Sequence, residues 1–221
     1  MINGVIVPGM INALKSSIGR KNVMAITGLL LALFLLTHLL GNSSAFLGRE
    51  AFNAYAERLH SLGPLIPVFE AGLILVFLLH VYFGLSLYFE NLEARPSRYE
   101  VGGTAGGKTL ASRTMPYTGL LVLVFIFHHL ARFYFGDSPS VSDLVRDNLS
   151  KPVTAGYYIF SLLALTLHTS HGFWSMFQTA GLNHPKYDVL IDRLTLAASI
   201  IIGTVFMMIP ALALFWPDFL R

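Results

Sequence analysis

Apolar residues along this 221-residue chain gather into five long runs, at about 23–40, 65–89, 115–135, 153–177 and 194–215. Each is close to the ~20 mostly apolar residues that a helix needs to cross a hydrocarbon layer about 30 Å thick. Between them lie polar stretches rich in glycine or proline, at 41–49, 95–108, 136–152 and 181–192, which read as loops. Residues 52–62 read as a short helix lying outside the bilayer, and Ile11, Leu14 and Ile18 as an amphipathic turn before the first span. The pattern predicts an all-α integral membrane bundle of five transmembrane helices, one domain over 1–221, with no cleaved signal, no soluble domain and no internal repeat.

Composition agrees with this reading. The chain is 54% hydrophobic and 12% charged, with a mean hydropathy of +0.63, about half the charge fraction of a soluble domain. There is no cysteine, so the chain holds no disulfide, iron–sulfur cluster or thiolate metal site of its own. A formal charge of +3 is too small to point to nucleic acid. Placing the N-terminus in the cytoplasm puts Lys15, Arg20, Lys21, Arg95, Arg98, Lys108, Arg113, Lys186 and Arg193 inside. The smaller set Arg49, Arg58, Arg132, Arg146, Lys151 and Arg221 then lies outside, as the positive-inside bias favours.

Histidine is the ionisable group that recurs within the spans: His38 in the first, His80 in the second, His128 and His129 in the third, His168 and His171 in the fourth. Polar groups inside a bilayer are costly, and one on each of four successive helices calls for a shared purpose. Haem iron in an electron-transfer cytochrome takes two axial ligands, and helix bundles build such sites from facing helices. Successive helices run in opposite directions, so His38 and the span-three doublet fall in the outer half, while His80 and His168 fall in the inner half. Two levels of paired imidazoles imply two haem b groups, one above the other. Adjacent residues on a helix point about 100° apart, so only one of His128 and His129 can face a given haem. His171 lies one turn beyond His168 and is a candidate partner for a haem propionate or water.

Several stretches resemble the cytochrome b membrane anchor of succinate:quinone oxidoreductases and quinol:fumarate reductases, in its single-chain, five-helix, di-haem form. They are Ser16-Ser-Ile-Gly-Arg-Lys, Thr37-His-Leu-Leu-Gly-Asn42, Phe52-Asn-Ala-Tyr-Ala56, Leu79-His-Val-Tyr-Phe-Gly84, Ala111-Ser-Arg-Thr-Met115, His129-Leu-Ala-Arg-Phe, His168-Thr-Ser-His-Gly-Phe-Trp174 and Gly181-Leu-Asn-His-Pro185. The resemblance covers spans one to four; the fifth matches only in being apolar. It implies that His38, His80, His129 and His168 are the axial ligands, paired His38/His129 (outer) and His80/His168 (inner). It further implies an iron–sulfur subunit on the cytoplasmic face, a flavoprotein subunit bound through it, and electron transfer to or from a quinone, menaquinone or ubiquinone. The setting it implies is the inner (cytoplasmic) membrane of a prokaryote, and the chain would not act on succinate alone. In some family members a glutamate two residues before the fourth ligand is linked to proton movement; here that position is Thr166, which carries no charge.

Weaker candidates are Glu57, His60 and Glu70 for a quinone site, which needs an apolar slot and proton-exchanging groups. Arg20, Arg113, His171 and His184 are candidates for haem propionates at the inner face, and Arg132 at the outer. Two other functions share the pattern: a di-haem cytochrome b serving another quinone-linked dehydrogenase, and a haem-free membrane protein whose histidines relay protons.

Overall fold

The computed structural model describes residues 16–94, 110–182 and 184–221. They are helical throughout with no strand, 84% helix in all. Helix α1 (Ser17–Ser43) starts at Ser16, whose hydroxyl oxygen accepts the Gly19 N–H at 3.0 Å and so caps an otherwise unpaired donor. A 3₁₀ turn (Ser44–Leu47) and Gly48, whose φ of 100° suits glycine, turn the chain into α2 (Arg49–His60). Helices α3 (Leu65–Glu93), α4 (Leu110–Phe133), α5 (Val141–Leu149), α6 (Pro152–Thr179) and α7 (Asp188–Phe215) follow. Pro152 opens α6, where its missing N–H costs nothing. Gly181, with φ of 70°, closes it, and the Leu182 N–H returns to the Phe177 carbonyl at 3.0 Å.

Among the described residues, four helical segments are long and apolar enough to cross a membrane: Ser17–Leu47, Leu65–Glu93, Arg113–Phe133 and Asp188–Phe215. Helix α6 equals α7 in length at 28 residues, but Ser161, Thr166, His168, Thr169, Ser170 and His171 dilute its hydropathy. Its position explains the difference. It packs against α4, α7 and α1, and buries Ala155, Tyr158, Ser161, Leu162 and Ala164 among them. Its hydroxyls are satisfied locally, with Ser161 donating to the Tyr157 carbonyl and Thr166 to the Leu162 carbonyl, both at 2.8 Å. A helix enclosed by protein can carry such groups where a lipid-facing one cannot.

The long helices form a row α3–α1–α6–α4, with α7 laid against α6 and α1. Helix α3 is outermost and buries no residue. The approach of α7 to α6 is so close at Gly203 that any side chain there would collide with Thr166, the close contact that small residues allow between membrane helices. One end of the bundle is fastened by α2 and α5. The Arg49 guanidinium grips both Asp143 oxygens at 2.8 and 2.7 Å, Arg146 reaches the same carboxylate at 2.9 Å, and the Ser142 hydroxyl donates to Asn53 Oδ1 at 2.9 Å. Arg49 also lies 3.4 Å from the Leu220 carbonyl, so the C-terminal ends of α1, α4 and α7 meet at this end.

Several expectations are adjusted. The helices extend beyond the apolar runs expected at 23–40, 65–89, 153–177 and 194–215, because polar end residues continue the helical hydrogen bonding. The third, expected at 115–135, starts earlier and ends at Phe133. The loop expected at 41–49 holds the end of α1 and the 3₁₀ turn, and the one at 136–152 contains α5. That helix is only nine residues long and buries a narrow stripe, Ser142, Val145 and Leu149, too short to register as a hydrophobic run. The short helix expected at 52–62 is α2. Ile18 lies in the first turn of α1 and is exposed; Ile11, Leu14 and the 95–108 loop fall outside the described residues.

The bidentate bond from Arg49 first, then the Ser140 hydroxyl and the neighbouring arginine charges, hold the Asp143 carboxyl well below its ordinary 3.8. A carboxyl that binds protons less well folded than unfolded stabilises the fold above its unfolded pKa and loses that contribution as pH falls. Asp143→Asn should therefore lower the thermal midpoint of the detergent-solubilised protein at pH 7. The gap to wild type should be unchanged at pH 5 and should narrow below about pH 4. Equal midpoints at pH 7 would show that this fastening contributes nothing.

Candidate functional site

Two couples of imidazoles meet inside the bundle. His38 of α1 and His129 of α4 have ring centres 6.0 Å apart with planes at 88°, and His80 of α3 and His168 of α6 have centres 6.4 Å apart with planes at 73°. The helices that supply each couple, α1 with α4 and α3 with α6, are not packed backbone to backbone. The rings bridge a space that neither backbone fills.

Glycines mark the depth of the inner couple. A Cβ at Gly28 of α1 would lie 3.4 Å from His80 Cε1, and one at Gly119 of α4 would lie 3.3 Å from His168 Cε1. Gly28 precedes His38 by ten residues and Gly119 precedes His129 by ten, so the two levels stand about 15 Å apart on both helices. The separate measures agree. The outer couple lies at the end closed by α2 and α5, and the inner couple towards the other.

The arrangement suits a metal that brings most of its own ligands. An iron between two imidazole nitrogens, each about 2 Å away and about 1 Å from its ring centre, sets the centres about 6 Å apart. Among the described residues no group of three or more His, Cys, Asp or Glu converges as a bare ion would need; a porphyrin needs only the axial two. His129 and His168 bury their Nδ1 atoms while both residues are only partly buried, so the exposed part of each excludes Nδ1. At the inner level His80 Nδ1 lies 3.2 Å from the Thr27 hydroxyl. At the outer level Phe34 stacks on His38 at 5.3 Å and Phe206 of α7 lies at 5.8 Å. His129 sits among Phe125, Phe133 and Tyr158, at 5.6, 5.1 and 6.1 Å.

The structure also separates the doublet. His129 faces His38, whereas His128 turns to Tyr157 and Tyr158 at 4.7 and 5.7 Å. His171 lies 6.0 Å from the Trp174 ring on its own helix.

The weaker candidates divide. Glu70, half-buried near the start of α3, accepts a hydrogen bond from the Tyr134 hydroxyl at 3.1 Å, closing the gap between α3 and the end of α4 beside the outer couple. Glu57 and His60 are exposed, and His60 Nδ1 is bound to its own helix at the Ala56 carbonyl, 2.8 Å away. They do not converge with Glu70. Arg20 forms an ion pair with Glu90 of α3 at 2.5 Å. Arg113, Arg132 and His184 are exposed, and His184 Nδ1 accepts the Lys186 N–H at 3.2 Å.

The geometry exposes a signal that hydropathy alone hides. Met24, Thr27, Gly28, Leu29, Leu30, Phe34, His38 and Leu39 of α1 recur, 91 positions on, as Met115, Thr118, Gly119, Leu120, Leu121, Phe125, His129 and Leu130 of α4. Leu75, Leu79, His80, Gly84 and Phe89 of α3 recur, 88 positions on, as Leu163, Leu167, His168, Gly172 and Phe177 of α6. With α2 and α5 in matching places, α1–α3 and α4–α6 are two copies of one unit, so the expectation of no internal repeat is corrected. The register assigns His129, not His128, as the counterpart of His38 from sequence alone. It also identifies both glycines that seat the inner rings.

No family model matches the chain, and no solved structure matches it. It is similar to the succinate dehydrogenase cytochrome b558 subunit of Bacillus subtilis (strain 168), 29% identical over 154 residues that cover 68% of this chain and 73% of that protein.

Proposed function

We propose that this chain is the membrane-anchoring cytochrome b subunit of a succinate:quinone or quinol:fumarate oxidoreductase, and that it carries electrons between an iron–sulfur subunit and a quinone through two haem b groups. The observation that carries the proposal is the pair of imidazole couples at two depths. The likeness to a succinate dehydrogenase cytochrome b subunit supports the complex to which it belongs.

In this reading α6 is the fifth span, its polar face turned inward, and the N-terminus is cytoplasmic. His38 with His129 hold the outer haem, and His80 with His168 the inner one. Each iron, when bound, supplies a one-electron couple with no open coordination position. The chain's own work is to hold four imidazoles at two levels and to keep water from Nδ1 of His129 and His168. Glu70 and Tyr134 lie about 7 Å beyond the outer couple along α4, and as a carboxylate–phenol pair they are suited to exchange protons with a quinone there. Thr166 bonds its own helix and lies against Gly203 of α7, so no ionisable group stands at that position. The iron–sulfur subunit docks on the cytoplasmic end and brings the flavoprotein that acts on succinate or fumarate.

Purified from its native membrane, the protein should come with a flavoprotein and an iron–sulfur protein. Its reduced-minus-oxidised spectrum should show cytochrome b bands, with two haems per polypeptide. Bands without those partners would favour another dehydrogenase, and absence of the bands would favour a haem-free proton relay. His80→Ala and His168→Ala should each halve the haem content by removing the same inner haem. His38→Ala and His129→Ala should each remove the outer one, and His128→Ala should spare both.

A leucine at Gly28 or Gly119 would push His80 or His168 off its seat. Gly28→Leu and Gly119→Leu should therefore lose the inner haem's absorbance and keep the outer one's. Retention of both haems in these variants would show that the glycines do not set the ring positions.

A further inference from the structure

We propose that Thr27 is a positioning residue for the inner haem: its hydroxyl fixes the tautomer and ring plane of His80, leaving the Nε2 lone pair free for iron. The inference rests on the di-haem reading above and deepens it.

Thr27 is 4% exposed, in the middle of α1, and its Oγ1 has three neighbours. The Val23 carbonyl lies at 2.8 Å, the Met24 carbonyl at 3.1 Å and His80 Nδ1 at 3.2 Å. A hydroxyl has one proton and two lone pairs, and a carbonyl can only accept. The proton is therefore committed to α1's own backbone, at Val23 or shared with Met24. What Oγ1 offers His80 is a lone pair, so Nδ1 must carry the hydrogen. In a neutral imidazole that leaves Nε2 unprotonated. The ring that Gly28 makes room for is thus also locked in the one tautomer that can ligate iron through its free edge. Ligating histidines are commonly oriented in this way by a bond at the other ring nitrogen.

The repeat provides an internal control. Thr118 is the counterpart of Thr27, equally buried at 4%, and it too spends its proton on its own helix, at the Thr114 and Met115 carbonyls, 3.1 Å each. His168 makes no bond to Thr118; its ring is turned to the Met115 backbone carbonyl, a contact outside good hydrogen-bond geometry for Nδ1. The two inner ligands are held by different groups: His80 lies against the Thr27 hydroxyl, His168 against the Met115 backbone carbonyl and not against Thr118.

An Nδ1–H that donates to an oxygen makes the imidazole a better electron donor and favours the oxidised iron. Removing the acceptor should raise the inner haem's midpoint potential. The test compares wild type with Thr27→Val, Thr27→Ser and Thr118→Val in the purified complex, by haem content, potentiometric titration and low-spin EPR. The inner haem's signals are those that disappear in His168→Ala. Thr27→Val should keep two haems, shift the inner midpoint upward, move the inner EPR signal and leave the outer haem unchanged. Thr27→Ser should match wild type, and Thr118→Val should leave the inner midpoint in place.

A wild-type inner haem in Thr27→Val would overturn the proposal. An equal shift in Thr118→Val would do the same, because the effect would then be a general disturbance of the helices. If Thr27→Val loses the inner haem altogether, Thr27→Ser decides: recovery supports the hydroxyl's role, and the same loss overturns it. Wild-type protein without haem would instead defeat the functional reading beneath this one.

Discussion

Everything in this bundle follows from bringing imidazoles together across helices that do not touch. Polar side chains in hydrocarbon are tolerated only when they find partners, and direct packing of α1 on α4, or of α3 on α6, would close the space their histidines share. The row α3–α1–α6–α4 meets both demands. Contact is made along the row, and the couples span it. Helix α6 is the member on which this depends, since it meets α1 and α4 and contributes one ring itself. That role explains its composition. Serines and threonines that would be poor lipid-facing residues are bonded back to its own carbonyls and enclosed by neighbours.

The repeated unit explains why the two levels agree so closely. A helix carrying Thr-Gly and, ten residues later, a histidine supplies both a seat for the inner ring and a ligand for the outer level. Two such helices, α1 and α4, fix the spacing of both levels on opposite sides of the row, so the distance between them is set by helical rise alone. The two units differ where their surroundings differ. Thr37 of the first unit is matched by His128 of the second, which turns to Tyr157 and Tyr158 and not to a histidine across the bundle. Glu90, paired with Arg20, is matched by Gln178. What the units still share is the Thr-Gly seat and the histidine, the parts that the couples use.

Much of this was legible in the residues, for identifiable reasons. Apolar runs of membrane length and histidines at fixed distances from helix ends are local properties, and helical rise turns them into depth. The pairing of His38 with His129 and His80 with His168 could be read from that alone, apart from the choice within the doublet. Legibility failed where the deciding fact was tertiary. Arg20 is cationic and near the inner end, and the sequence does not show that Glu90 on the adjacent helix takes one of its nitrogens while its Nε stays unpaired. Glu57 and His60 share a helix face, yet that face turns outward. Helix α5 is visible only once α2 is there to bind it through Arg49 and Asn53. The repeat was readable in principle, but the abundant leucines of any membrane helix mask a register defined by a few polar and small positions.

Helix α7 has no counterpart in either unit and carries no histidine, but it completes the site from outside. It closes on α6 where Gly203 admits Thr166, and it places Phe206, 8% exposed, beside His38. The first contact seals the one position on α6 where the resembled family sometimes carries an acid. The second walls the outer couple with an aromatic ring on the side that the row leaves bare. A four-helix repeat would expose α6, its most polar member, to lipid along one face. Helix α7 covers that face at Thr166 and leaves apolar residues such as Phe160, Leu163 and Leu167 as the exposed part of α6, which lessens the cost of placing hydroxyls and imidazoles on the same central strut.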